Sequence, residues 1–317
     1  FGSRHSIGAV SGRSAACPRH AQGVLVPHSK MEPFDLEQGM KSVAAGGSVL
    51  NCQELVGIRS ALTVLKHDQK FQQVYFWGKI FGLDPEPASD YYIAYGLQEP
   101  EFEFPAKSFY YAGADFDFKP LPALNIETAE KLLALGLDGP FCGKPDKIIE
   151  PEVEGEEPPA EEGEEGAEVD KPRKLNELDR LSQVVQEIDF DTAVVPKGAY
   201  MLNEAHVVVP STDFKGLGAT EATLLEKYAH FRPPASIAAL RALARTDAEF
   251  YASFLDPLET DLPKGCWAMR QDNAASVVIL RSLIWPGYIA YHQAGTTKFG
   301  GCYFGYAQKS RDLPFML

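Results

Sequence analysis

The sequence has no run of about twenty unbroken apolar residues, the length that a bilayer-spanning helix requires. Its longest apolar stretches, such as SVVILRSLIWPGYIAYH (276–292), are broken by charge. It also lacks a basic stripe. Lys and Arg number 30 against 44 Asp and Glu, for a net charge of −14, which excludes a protein that grips nucleic acid by neutralising phosphates. Cysteine is scarce: Cys17, Cys52, Cys142, Cys266 and Cys302 are odd in number and scattered, without a C-x-x-C pair. That pattern makes neither a disulfide framework nor a zinc ribbon, and suits free thiols in a reducing compartment. His67, His206, His230 and His292 stand apart, with no spacing that would gather a metal. No G-K-[ST] follows a glycine-rich loop.

What the chain does have is localised. Ten Glu and one Asp between residues 150 and 170, with no Lys or Arg, account for −11 of the net charge and leave −3 for everything else. That stretch is rich in Pro and Gly and has no aromatics, so it cannot bury enough apolar surface to offset its ordering entropy. Residues 144–173 are therefore expected to be an acidic, disordered tether. Residues 1–30 hold four basic residues and no acid, a composition shared by transit peptides and by upstream sequence translated before a start codon. The expectation is the second: a disordered extension over 1–49, with Met31 as the start. At 317 residues and 45% hydrophobic, the remainder has ample length for a core. It divides into 50–143 and 174–317, the two parts of one α+β domain.

The first ordered element is predicted as a helix over 52–67. Asn51 and Glu54 form a capping box, and Leu55, Ile58, Leu62 and Leu65 recur on one face. An aromatic hairpin follows. In VYFWGKIFG (74–82) side chains alternate, so Tyr75, Trp77, Lys79 and Phe81 share one face of a strand. DYYIAYGL (90–97) returns after a proline-rich loop, with Tyr91, Ile93 and Tyr95 on one face and Tyr92, Ala94 and Gly96 on the other. A third strand (KSFYYAG), a short helix (TAEKLLALGL) and, beyond the acidic segment, a helix striped by Leu175, Leu178, Leu181, Val185 and Ile188 come next. Short strands and helices lead to about residue 255, with Thr246 and Glu249 as a second capping box. The end is a β-meander built from CWAMRQ, SVVILRSLIW, YIAYH and GGCYFGYAQ, with Pro286-Gly287 placed for a type II turn. The fold class is α+β: a mostly antiparallel sheet, the aromatic hairpin plus the meander, with packed helices and an acidic interruption.

Three places invite chemistry. The run VVVPSTDFKGLGATEATLLEKY goes strand, glycine-rich loop, helix, and backbone amides at 216–220 are a phosphate site in one reading and a plain turn in the other. Cys266 or Cys302 with His292 is a candidate nucleophile pair, against the commoner role of cysteine as a small buried hydrophobe. The acidic run has no fixed geometry for Ca²⁺. None of these makes a complete site, so the residues alone point to an interaction or assembly protein with no catalytic residue, cofactor or metal. Trp77, Tyr91 and Tyr92 are the candidate interface anchors, and core packing is their alternative role.

FWGKIFG (76–82) followed by DYYIA (90–94) resembles the signature of radial spoke head proteins of motile cilia and flagella, a family that includes spoke head proteins 4 and 6. DLPKGCW (261–267), VVILRSLIWPG (277–287) and the closing DLPFML (312–317) look like its radial spoke head protein 9 branch. The resemblance implies a structural subunit of the spoke head in the axoneme, drawn from a cytoplasmic precursor pool. It would support head assembly and pass central-pair signals to the dyneins that set the ciliary beat. The implied partners are spoke head proteins 4 and 6, with proteins 1 and 10 and stalk protein 3 nearby, a second copy as a homodimer, and the central-pair projections by transient contact. No nucleic acid and no membrane are implied. The rival expectation is a soluble phosphate- or nucleotide-binding enzyme using the 216–220 loop.

Overall fold

The computed structural model describes residues 36–44, 46–47, 49–83, 89–98, 102–149, 174–244 and 254–316. Its centre is an eight-stranded sheet in the order β4-β3-β2-β1-β12-β11-β10-β9. The first four strands are β1 (Gln73–Ile80), β2 (Tyr91–Leu97), β3 (Lys107–Ala112) and β4 (Lys119–Pro120). The last four are β9 (Trp267–Asp272), β10 (Val277–Ser282), β11 (Tyr288–Gln293) and β12 (Phe299–Gly305). Each set is an antiparallel meander, joined through a single parallel pairing of β1 with β12 that sets Gly78 opposite Tyr303. A Cβ on Gly78 would sit 2.3 Å from the Tyr303 carbonyl oxygen, so the absence of a side chain lets the two meanders meet. Strands from both sides of the acidic segment therefore share one sheet.

Helices cover both faces. On one, α1 (Leu36–Ala44) and α2 (Cys52–Asp68) bury Met40, Val43 and Ile58 against Tyr75, Phe76, Tyr92, Ile279 and Phe304. On the other, α4 (Glu177–Thr192) buries Leu181, Val185 and Ile188 against Trp77, Ile93, Leu280 and Tyr303. The short α3 (Ile126–Leu135) lies against α4. Paired short strands β5 (Val194–Pro196) with β8 (Tyr228–His230), and β6 (Tyr200–Leu202) with β7 (Val208–Pro210), carry a satellite core around Leu202, Phe254 and Phe299. The chain continues through α5 (Ile237–Leu243) and ends in the one-turn α6 (Leu313–Met316).

Much of the expected order is present. The capping box of α2 forms, with the Glu54 amide donating to Asn51 Oδ1 at 2.7 Å and the Asn51 amide donating to Glu54 Oε2 at 2.8 Å. The Pro286-Gly287 turn leads into β11, with Gly287 at φ +112°. Three expectations are corrected. Residues 1–49 are not wholly without structure, because α1 buries Met40 and Val43; Leu36, Met40 and Val43 recur at helical spacing, a pattern that Gly39 obscures. The acidic stretch begins later than residue 144, since 144–149 are placed and paired with 175–177. Strict alternation fails in β1, where a bulge between Phe76 and Gly78 leaves Trp77 without a partner residue on β2. One extra residue reverses the facing of the strand, so Trp77 lies on the α4 face while Tyr75 lies on the α1/α2 face with Phe76. The Thr246–Glu249 box, the tether at 150–173 and residues 1–30 lie outside the described residues.

Candidate functional site

The three candidate anchors all lie inside. Trp77 is 6% exposed, Tyr91 2% and Tyr92 5%. The Trp77 ring stacks on Tyr303 at 5.5 Å, tying β1 to β12. Tyr91 packs edge-on against Phe141 and Tyr111, and Tyr92 against Phe116. The rings that the sequence offers to a partner are occupied by the chain's own core.

What the hairpin positions is a pair of buried polar clusters, one per face. On the α2 face Lys79, its side chain 12% exposed, reaches Glu54 at 2.9 Å and Asp90 at 2.8 Å. Its ammonium also lies 5.2 Å from the Tyr92 ring centre, while the Tyr92 hydroxyl donates to Glu54 Oε1 at 2.8 Å. Burial pushes the Glu54 carboxyl up, but hydrogen bonds from Lys79, the Asn51 amide and Tyr92 outweigh it and hold the group below its ordinary value. Burial likewise opposes the charge on Lys79, and the two carboxylates overcome it, so its ammonium is held more firmly than usual. Tyr92 is pushed up to about 12, chiefly by burial. The capping-box glutamate of α2 is thus also the counter-ion of the signature lysine, and the cluster fixes α2 to the hairpin.

On the opposite face Glu177, the first residue of α4, is buried and fully engaged. It accepts the Tyr91 hydroxyl at 2.8 Å and the Cys142 and Gly143 amides at 3.1 and 2.8 Å. Burial first, and then the neighbouring carboxylate, drive Tyr91 to hold its proton. Two backbone bonds, Ile149 N–H to the Leu175 carbonyl and Glu177 N–H to the Lys147 carbonyl, both 2.9 Å, close the same junction. The described residues on the two sides of the acidic segment thus meet at one clamp.

Neither candidate site of chemistry assembles. In the 216–220 loop the Leu217 amide donates to His292 Nε2 at 3.2 Å and the Gly218 amide to Glu221 Oε2 at 3.2 Å. The helix that follows is a single 3₁₀ turn, Glu221–Thr223. Amides already paired, one of them to a carboxylate, do not form an anion cradle. Gly216, at φ +98°, presses its Cα against the Thr296 backbone, so the glycine serves packing. Cys302 pairs with Ile289 across β11 and β12, and both belong to the α1/α2 face. His292 falls with Tyr288 and Ala290 on the other face by alternation along β11. His292 is driven down to about 4, and Cys266 up to about 11, by burial. A neutral acceptor imidazole and buried thiols are structural groups. No three His, Cys, Asp or Glu among the described residues gather as a metal centre would need. No helix among them is long and apolar enough to cross a membrane.

The geometry defines an α+β protein whose buried polar groups join its own elements. A family model described as "Radial spokehead-like protein" matches residues 22–222. The chain is 34% identical over 290 residues to the radial spoke head protein 9 homolog of Danio rerio. It is 32% identical over 288 residues to that of Bos taurus and 32% over 287 residues to that of Homo sapiens. Each alignment takes in 90% of this chain and 100% of the relative. The chain belongs to the radial spokehead-like family, on its radial spoke head protein 9 branch. The Lys79–Glu54–Tyr92 and Tyr91–Glu177 clusters are what sequence reading missed. The isolated lysine within an otherwise apolar strand was the available signal for the first, and nothing local signalled the second.

Proposed function

We propose that this protein is a structural, non-catalytic component of the radial spoke in motile cilia and flagella, placed in the spoke head of the axoneme. The observation that carries this reading is the match to radial spoke head protein 9 homologs across 90% of the chain and their whole length. The role is to complete the head as a rigid block and so support the passage of central-pair signals to the dyneins. Its neighbours are other spoke components, spoke head proteins 4 and 6 foremost, with proteins 1 and 10, stalk protein 3 and a second copy of this chain as further candidates. Trp77, Tyr91 and Tyr92 serve that assembly by holding the hairpin in shape rather than by direct contact. A preassembled rigid element loses little further order on docking, which suits a mechanical coupler.

The test is affinity purification of a tagged copy from salt-extracted axonemes, read by quantitative mass spectrometry. Recovery in fixed stoichiometry with the other spoke head proteins is the expected result. A tag that fractionates with the soluble cytosol or an organelle, and is absent from axonemes, overturns the proposal.

A further inference from the structure

Beside α4 an open groove of about 470 Å³ is lined by Phe104, Phe109, Phe190, Phe231 and Arg232, together with Pro105 and Pro233. Phe190 is 45% exposed although its ring carries the Arg232 guanidinium at 4.0 Å. The two other charges that line it cancel, because Lys107 pairs with Asp189. Arg232 makes no such direct pair, and the carboxylate that feels its charge, Asp256, is turned to the Ala235 and Ser236 backbone amides at 2.7 and 3.2 Å. The Arg232 Nε is shut off from solvent without an acceptor. The groove therefore combines phenylalanine rings with one cation that makes no direct ion pair among the described residues.

We propose that this groove docks an extended segment of a partner protein in which a carboxylate stands next to a proline or an aromatic ring. Flat or pyrrolidine rings fill a slot between phenylalanines, as in other aromatic-lined peptide grooves. The planar guanidinium, braced on Phe190, is the group that pairs a carboxylate through two parallel bonds. The slot is open along one side, which suits a passing chain better than a small molecule that needs most of its surface enclosed.

The probe pair is two fluorescein-labelled, end-blocked nonapeptides, three repeats of Glu-Phe-Pro and three repeats of Lys-Phe-Pro, titrated by anisotropy against the full chain. The Glu peptide is expected to bind at least about tenfold more tightly than the Lys peptide, the difference that one charge-assisted contact supplies. Arg232→Gln is expected to remove that preference without lowering Tm, and Phe190→Ser, on a half-exposed ring, to weaken both peptides. No binding by either peptide, equal binding of the two, or a preference that survives Arg232→Gln each overturns the proposal. The experiment is independent of the radial spoke reading, which axonemal fractionation tests separately.

Discussion

Replacing Lys79 with Met removes the cation between Glu54 and Asp90 while keeping the length and most of the apolar stem of the side chain. Breaking a buried ion pair from one side costs about 3–5 kcal/mol because a charge is left uncompensated. Asp90 is a third exposed and can turn to water, which screens its share, so the working figure is about 2–3 kcal/mol. That corresponds to a fall in Tm of roughly 3–5 °C for a chain of this size. The pH dependence follows from Glu54. Its folded pKa is depressed, so its contribution is fully present above the unfolded value of about 4.3 and is lost as pH falls through the folded value. Without Lys79, burial dominates and the carboxyl rises; protonation then relieves the variant while it weakens the wild type. Urea denaturation followed by tryptophan fluorescence at pH 7 and at pH 3.5 reads both effects. The Cm gap is expected to be wide at pH 7 and to narrow at pH 3.5. A double-mutant cycle with Glu54→Gln is expected to show coupling above about 1 kcal/mol. An unchanged Cm at pH 7, or additive single effects, would refute the view that this cluster fastens α2 to the hairpin.

Glu177→Gln places an amide NH₂ where a carboxylate now receives a hydroxyl and two amides, and is expected to cost about 2–3 kcal/mol; it should also quicken proteolysis around 144–176, and a variant with wild-type Tm and cleavage pattern would contradict the clamp. Gly216→Ala meets the Thr296 carbonyl oxygen at 2.2 Å from a backbone at positive φ, so a loss of at least about 2 kcal/mol is expected in a thermal melt. Among the cysteines of the described residues, iodoacetamide followed by peptide mass spectrometry should label exposed Cys52 first and leave Cys266 and Cys302 unmodified until the chain unfolds. Early labelling of Cys302 would mean that the β11–β12 face is not covered as described.

Local rules carried the sequence reading as far as local physics reaches. The Asn51–Glu54 cap, the stripe of α4 and the turn at Gly287 depend on residues within a few positions of one another, and all three are present. The pairing of β1 with β12 joins segments more than two hundred residues apart through Gly78 and Tyr303, and no periodicity within either strand encodes it. The bulge at Trp77 defeated alternation for a related reason: an inserted residue keeps its composition and changes only its facing. The burial of Tyr91 and Tyr92 was one of two open readings, because an aromatic ring fits a core and an interface on the same terms. Lys79 was visible as a charge in an apolar strand. Its partners were not, since Glu54 had already been assigned a cap.

The clamp at Glu177 has a consequence for length. Ile149 and Leu175 are hydrogen-bonded neighbours, so whatever number of residues separates them, the sheet and helices receive the chain at the same two points. The closure cost of any flexible insert grows only with the logarithm of its length, so each doubling adds only about 0.6 kcal/mol. This junction is therefore a port where the fold is expected to accept lengthening, shortening or an inserted reporter domain.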